Sequence, residues 1–94
     1  MNGEIDRENP ANMEQALSLA FERVGEYDFT KSDIDFISSE LKEEFPNIEE
    51  RKIFKALRNG GFGNYGRTYK MCTTTVCFWI REYIMDEKIK ELLN

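Results

Sequence analysis

Apolar residues recur at helical spacing in the first third of the chain. They lie on one face of a helix, at offsets of 3, 4, 7, 8 and 11 residues from the first: Met13, Ala16, Leu17, Ala20, Phe21 and Val24. Asn9 followed by Pro10 is typical of a helix start, because asparagine caps well and proline fits the first turn. Gly25 ends the pattern. We therefore predict a first helix from Pro10 to Gly25, preceded by a disordered lead-in over residues 1–9.

A second segment shows capping residues ahead of an apolar stripe. Thr30 or Ser32 can cap this helix, and each is followed three residues later by an aspartate. The stripe consists of Ile34, Ile37 and Leu41. Pro46 closes the segment, because a proline disfavours helical backbone at the residue before it.

A third helix is indicated by Asn47 with Glu50 three residues later, which is a further capping signature. The buried face of this helix is expected to consist of Ile53, Phe54 and Leu57. Gly60 then lies where a left-handed residue would end the helix.

From Gly60 to Cys72 the sequence shows no periodicity, and a fourth helix is predicted from Thr73–Thr75 to the C-terminus. One apolar face of this helix consists of Val76, Trp79, Ile80, Tyr83 and Ile84. A second apolar face consists of Phe78, Met85, Ile89 and Leu92. A helix that is apolar on two faces is either wrapped by other helices or shared with a partner, so a homodimer is one expectation. Trp79 and Tyr83 are assigned to the core.

Four helical segments without a convincing strand predict an all-α fold, with a single four-helix domain over residues 10–94. The chain of 94 residues is 40% hydrophobic and 13% aromatic, which is sufficient for one packed core. No apolar run approaches the roughly 18 residues that a membrane span needs, and the N-terminus is acidic and polar. We therefore expect a cytoplasmic protein without a membrane segment.

The segment between the third and fourth helices matches nucleotide-binding patterns through its glycines. Gly61, Gly63 and Gly66 have the spacing G-x-G-x-x-G, and residues 61–68 differ from a P-loop by one lysine-to-arginine change. Phosphate loops follow a β-strand, however, and the residues before these glycines predict a helix. The favoured interpretation is an ordered, self-packed loop, in which Gly63 and Gly66 permit positive φ.

Aromatic side chains give this loop its expected packing. Phe62, Tyr65 and Tyr69 are predicted to fold back and fill the core. The predicted structural loop residues are Gly60, Gly61, Gly63, Gly66, Tyr65 and Tyr69. Contact between the loop and a partner is compatible with this structural role.

The net charge of −5 hides a strong asymmetry along the chain. Residues 1–50 contain fourteen acidic and four basic side chains, a balance of −10, and residues 82–94 contribute −2. Residues 51–81 contain no acidic side chain and seven basic ones: Arg51, Lys52, Lys55, Arg58, Arg67, Lys70 and Arg81. Such a segment can generate a local positive field within an acidic protein.

Aromatic residues interleave this basic segment, a composition that suits phosphate contacts and base stacking on a nucleic acid. The third and fourth helices invite a helix-turn-helix interpretation, although the loop of about twelve residues exceeds the usual three or four. The basic segment can equally complement the acidic N-terminal helices or face solvent. The candidate binding residues are the polar groups around the loop: Arg58, Asn64, Arg67, Lys70 and Arg81.

The sequence lacks the residues that usually carry catalysis and metal binding. It contains no histidine, and its two cysteines, Cys72 and Cys77, are too few for a zinc site or a disulfide scaffold. Both are interpreted as buried free thiols that act as small apolar residues. No enzymatic activity, metal or cofactor is predicted.

Residues 45–84 combine several short motifs. A proline precedes an acidic-capped helix, which ends in A-[LF]-x-x-G and is followed by G-x-[FY]-G, an aromatic turn and T-x-x-x-[FW]-[WF]-[IL]-x-x-Y. The matching positions are Pro46, Glu50, Ala56, Leu57, Gly60, Gly63, Tyr65, Gly66, Tyr69, Thr75, Trp79, Ile80 and Tyr83. This pattern resembles that of small helical proteins from phages and mobile elements of gut bacteria. Those proteins are similar in layout to the helical domains of phage replicative-helicase loaders and inhibitors.

The resemblance implies a non-enzymatic protein-binding module that is an accessory to replication of a phage or mobile element. Its partner would be a replicative helicase or another replication protein, and the family supplies no catalytic residues. The alternative is a DNA-binding, helix-turn-helix-like protein that contacts phosphates through residues 51–81.

Overall fold

The structure is a computed structural model that describes residues 9–67 and 70–93. Within these residues the chain forms four α-helices and no β-strand: α1 (Met13–Arg23), α2 (Lys31–Glu44), α3 (Glu50–Gly61) and α4 (Thr73–Leu93). The all-α fold predicted from the sequence is confirmed. Residues 1–8 of the predicted lead-in and Tyr69 of the predicted loop lie outside the described residues. None of the four helices is long and apolar enough to cross a membrane.

Helix α1 is capped by Asn12, and not by Asn9 as the sequence pattern predicted. The side chain of Asn12 accepts a hydrogen bond from the backbone N–H of Gln15 at 2.9 Å. The side chain of Gln15 accepts one in return from the backbone N–H of Ala11, also at 2.9 Å. At the start of α1, side-chain oxygens of Asn12 and Gln15 therefore accept hydrogen bonds from two exposed backbone N–H groups, those of Gln15 and Ala11.

Helix α2 begins with the capping box that the sequence offered at Thr30. Thr30 Oγ1 accepts a hydrogen bond from the backbone N–H of Asp33 at 3.2 Å, and Asp33 Oδ2 accepts one from the backbone N–H of Thr30 at 2.8 Å. The helix ends at Glu44, with Phe45 as the C-cap residue directly before Pro46. The predicted end of this helix is therefore confirmed.

Both predicted ends of α3 need correction. Glu49 lies at the N-cap position and its side chain makes no capping hydrogen bond, so Asn47 is not the cap. Gly60 lies inside the helix with ordinary φ, and Phe62 is the C-cap residue. The first left-handed residue after the helix is Gly63, with φ of 85°.

Close packing against Trp79 explains the glycine at position 60. A Cβ atom at Gly60 would lie 1.9 Å from Cδ2 of Trp79, so the absence of a side chain lets the indole lie against the α3 backbone. Trp79 is only 1% exposed, as expected for a core residue. This contact lies in the α3–α4 interface, and α3 also packs on α1, while α2 packs on α1 and α4.

The core is formed by apolar residues from all four helices. Its fully buried members include Leu17, Ala20, Leu41, Ala56, Leu57, Val76, Trp79 and Ile80. Phe54, Tyr83 and Ile84 pack against this core but are only partly buried. The predicted apolar stripes of α1, α2 and α3 and the first predicted face of α4 are therefore the faces that meet in the core, whereas the second predicted face of α4 is exposed.

The loop after α3 turns at two glycines with positive φ, Gly63 at 85° and Gly66 at 109°. Tyr65 is half-buried and packs against the core, and its hydroxyl accepts a hydrogen bond from Asn59 Nδ2 at 3.2 Å. Phe62, in contrast, is 58% exposed, so the prediction that it fills the core is wrong. Its ring contacts two arginine side chains at the molecular surface instead.

Candidate functional site

The five binding residues predicted from the sequence do not form one site. Arg58 lines a groove between α1 and α3, whereas Lys70 lines a separate cavity near the start of α4. Arg81 lies on α4 and donates a hydrogen bond to an acidic residue of α2. Asn64 and Arg67 are exposed on the loop after α3. The polar groups around the loop are thus distributed over several faces.

Two cations of the basic segment form ion pairs with acids of other helices. Arg81 Nη2 lies 3.0 Å from Glu44 Oε1, and Lys52 Nζ lies 3.3 Å from Glu87 Oε1. The Arg81–Glu44 pair is exposed and the Lys52–Glu87 pair is partly exposed, so each contributes little to stability. They do, however, direct these two cations toward acids of the same chain and away from α1.

A groove between α1 and α3 brings four cations together. Arg51, Lys55 and Arg58 lie at i, i+4 and i+7 on the outer side of α3, and Arg23 from the last turn of α1 lines the same groove. Its volume is about 640 Å³. Glu50, at the start of α3, is the one acid among its described lining residues. We call this feature the cationic groove.

The floor of the cationic groove is apolar. Ala16, Leu19 and Phe54 line it, and Leu19 is only 1% exposed. Leu19 is buried here without belonging to the main core cluster. The groove therefore combines a cationic rim with an apolar floor.

One end of the cationic groove is built on an aromatic ring and a glycine. Cζ of Arg23 lies 4.7 Å from the ring centroid of Phe62, and Cζ of Arg58 lies 5.6 Å from it. Such cation–π contacts restrict the guanidinium groups. A Cβ atom at Gly61 would lie 3.1 Å from Cβ and Cδ of Arg23, so glycine lets the arginine stem lie against α3. Phe62 and Gly61 thus position two arginines next to each other.

Sequence reasoning identified Arg58 but missed the other cations of this groove as a group. The i, i+4, i+7 spacing of Arg51, Lys55 and Arg58 is visible in the sequence and marks one helix face. Arg23 has no such signal, because it reaches the groove only through the packing of α1 on α3.

The second exposed surface lies on α4, opposite its buried face. Phe78, Met85, Ile89 and Leu92 are 47%, 56%, 46% and 85% exposed. Phe78, Met85 and Leu92 are seven residues apart, so successive members are offset by only about 20° around the helix. After Ile84, none of the described residues of α4 is buried. We call these four residues the α4 outer face.

Charged residues flank the α4 outer face with opposite signs on its two sides. At about 100° of rotation per residue, Arg81 and Lys88 lie on one side of Met85, and Glu82 and Asp86 lie on the other. We call these the basic edge and the acidic edge. The surface therefore has an apolar centre, with positive charge along one side and negative charge along the other.

The two free cysteines have different environments. Cys77 is buried in the core, and burial raises its pKa. Cys72 is half-buried directly before α4, and its Sγ lies 3.4 Å from the hydroxyl of Thr75. This hydrogen bond lowers the pKa of Cys72. The prediction of a buried thiol is confirmed for Cys77, whereas Cys72 is partly accessible.

Neither ligand chemistry nor comparison with other proteins assigns a function. Over the described ranges, no group of three or more histidine, cysteine or acidic residues could hold a metal ion. No family model, curated protein or solved structure matches this chain. The candidate functional surfaces are therefore the cationic groove and the α4 outer face.

Proposed function

We propose that this chain is a non-enzymatic protein-binding module and that the α4 outer face is its binding surface. The main support is that four large apolar side chains of one helix are between 46% and 85% exposed. Single exposed apolar residues are ordinary in soluble proteins. A contiguous stripe of them is typical of an interaction surface, because its burial against a partner removes apolar area from water.

The proposed partner is a protein with an apolar groove that receives the second half of α4. Met85, Ile89 and Leu92 have the i, i+4, i+7 spacing of the anchor residues of a helix bound in a groove. Complementarity requires acidic groups of the partner along the basic edge and basic groups along the acidic edge. These charges would fix the direction in which the helix enters the groove.

Pairing of two copies of the chain is the main competing arrangement. In a parallel pair, the basic edge of one copy would lie along the acidic edge of the other. The surface is short, however: Phe78 to Leu92 covers two heptads, or about 21 Å. Coiled coils are typically recognised over three or four heptads, and a standard interface buries about 800 Å² per partner. A groove that surrounds the helix buries more of each side chain than a second helix does.

The biological part of the proposal comes from the resemblance of residues 45–84. It implies a replication protein as partner, with a replicative helicase as the first candidate, and an accessory role in replication of a phage or mobile element. The proposal includes a cytoplasmic location, for which two free cysteines are suited because that compartment is reducing.

The alternative proposal is a DNA-binding, helix-turn-helix-like protein that uses residues 51–81. Residues 62–72, eleven positions, separate α3 from α4, against three or four in a helix-turn-helix. Lys52 and Arg81 are paired with acids of the same chain. These observations favour the protein-binding module over a helix-turn-helix.

The test uses one pair of variants with equal added charge. Met85→Glu/Leu92→Glu introduces two carboxylates on the α4 outer face, whereas Ser32→Glu/Ser39→Glu introduces two at exposed polar positions of α2. A photo-crosslinking residue at position 89 identifies the partner, which is then purified and titrated with each protein. We expect the wild type and the control to bind alike, and the variant on the α4 outer face to bind at least about tenfold more weakly.

Two results would contradict the proposal. Equal affinity of both variants would exclude the α4 outer face as the binding surface. A wild-type dimer in light scattering that becomes a monomer only in Met85→Glu/Leu92→Glu would identify a second copy as the occupant.

A further inference from the structure

The cationic groove is not used by the proposed protein-binding surface, and two of its four cations, Arg51 and Lys55, are exposed and make no ion pair with the described residues. The described lining residues of the groove carry four cations and one acid, Glu50, so their own charge balance is +3. Such a cluster favours anions.

The rim of the groove suits a chain of anions rather than a single one. Along α3, Arg51 and Lys55 are separated by a rise of about 6 Å, and Arg58 follows after a further rise of about 4.5 Å. Arg23 and Arg58 lie at one end, where the Phe62 ring restricts both guanidinium groups. A cation held in place loses less entropy when it binds an anion, and the arginine fork can contact two oxygens of one phosphate.

The apolar floor decides between an unpaired strand and a duplex. Ala16 and Leu19 are covered, at 3% and 1% exposure, so the half-buried ring of Phe54 is the accessible apolar surface of the floor for a flat, weakly polar group. A duplex keeps its bases stacked inside and would leave this floor empty, whereas an unpaired strand can turn its bases onto it. The arginine forks of the rim match phosphates and carboxylates alike, so the Phe54 ring is what favours a nucleic acid over an acidic peptide, whose carboxylate side chains bring no flat ring to it.

We propose that the cationic groove binds single-stranded nucleic acid, with phosphates along the rim of Arg23, Arg51, Lys55 and Arg58 and bases on the apolar floor. The interaction is independent of sequence, because phosphate contacts carry no sequence information and every base has an apolar face. The chain would thus carry two binding surfaces, one for protein and one for nucleic acid.

Fluorescence anisotropy with a labelled oligothymidylate of about twelve nucleotides tests this proposal at low salt. The groove variant is Arg51→Glu/Lys55→Glu. The matched control is Lys42→Glu/Lys90→Glu, which makes the same change of charge at exposed positions outside the groove. Circular dichroism and melting temperature establish that both variants are folded.

We expect the groove variant to weaken binding at least about tenfold, and the control to stay within about threefold of the wild type. The slope of log K against log salt should decrease in magnitude by about 1.4, since each lost phosphate contact removes about 0.7 for a single strand. Phe62→Ala, which releases the two arginines, should weaken binding about threefold. Met85→Glu/Leu92→Glu should leave oligonucleotide binding unchanged, which separates this proposal from the protein-binding one.

Several outcomes would overturn the proposal. These are no binding of the oligonucleotide by the wild type at low salt, and an equal loss in the groove variant and the control. A duplex that binds more tightly than the single strand would also contradict it. Equally tight binding of a polyglutamate peptide of the same charge would assign the groove to acidic proteins instead.

Discussion

The two halves of α4 share one continuous helical backbone but have opposite surroundings. In the first half, Val76, Trp79 and Ile80 are at most 1% exposed, because α3 and α2 cover them. In the second half, the large apolar side chains from Met85 onward are at least 46% exposed. Once the first half is anchored, each further helical residue adds a hydrogen bond at little cost. The core therefore does not determine the full length of this helix. Its second half, whose large apolar side chains are exposed, is the proposed binding surface.

The largest loss of stability is expected from a substitution at the contact between α3 and the first half of α4. In Gly60→Ala, the new methyl group would lie 1.9 Å from Cδ2 of Trp79, and the buried indole has no free space to move into. We expect a loss of about 3 kcal/mol in the free energy of unfolding from this overpacking. Chemical denaturation measures it directly, and the melting temperature should fall by about 15 °C. A loss below 1 kcal/mol would show that the α3–α4 contact is looser than described.

Gly63→Ala is the matched control, at a glycine where an added methyl group would contact nothing. A Cβ at this position would have no atom within 4 Å, but the residue has φ of 85°, where an alanine is strained. We expect a loss of about 1 kcal/mol in the free energy of unfolding, again from chemical denaturation. An equal loss in the two variants would contradict the close contact between Gly60 and Trp79, because Gly60 has ordinary helical φ and overpacking is the only large cost expected there.

The reactivity of the two cysteines tests the packing of the first half of α4, with a smaller expected effect. The hydrogen bond between Cys72 Sγ and the Thr75 hydroxyl lowers the pKa of Cys72, whereas burial raises the pKa of Cys77. Since the thiolate is the reactive species, iodoacetamide should alkylate Cys72 well before Cys77 at mildly alkaline pH. Thr75→Val should raise the pKa of Cys72 and shift the pH profile of its alkylation upward. Equal rates for the two thiols in the wild type would contradict the burial of Cys77.

Periodicity in the sequence was sufficient to predict all four helices and their buried faces, because each helix has its own apolar stripe. The predictions that were wrong concern features that depend on tertiary contacts. Gly60 has the position of a C-cap glycine in the sequence, but its role is set by Trp79, which reaches it only after α4 has packed on α3. Asn9 and Asn12 offer the same cap, and the partner side chain of Gln15 decides between them.

The two candidate surfaces also differ in how far the sequence alone predicts them. The α4 outer face could be predicted from the sequence, because Phe78, Met85, Ile89 and Leu92 lie on one helix and their spacing alone defines the surface. The cationic groove could be predicted only in part, because its rim comes from two helices. Phe62 was assigned to the core for its hydrophobicity, and the arginines that hold it at the surface lie on α1 and α3.

The stability of Met85→Glu/Leu92→Glu shows whether the second half of α4 serves a partner or the core. We expect this variant to be a monomer whose free energy of unfolding, from chemical denaturation, is within about 0.5 kcal/mol of the wild-type value, as for exposed positions. A loss of about 2 kcal/mol or more would mean that Met85 and Leu92 are buried in the protein as it exists in solution, and the α4 outer face would then not be a free binding surface.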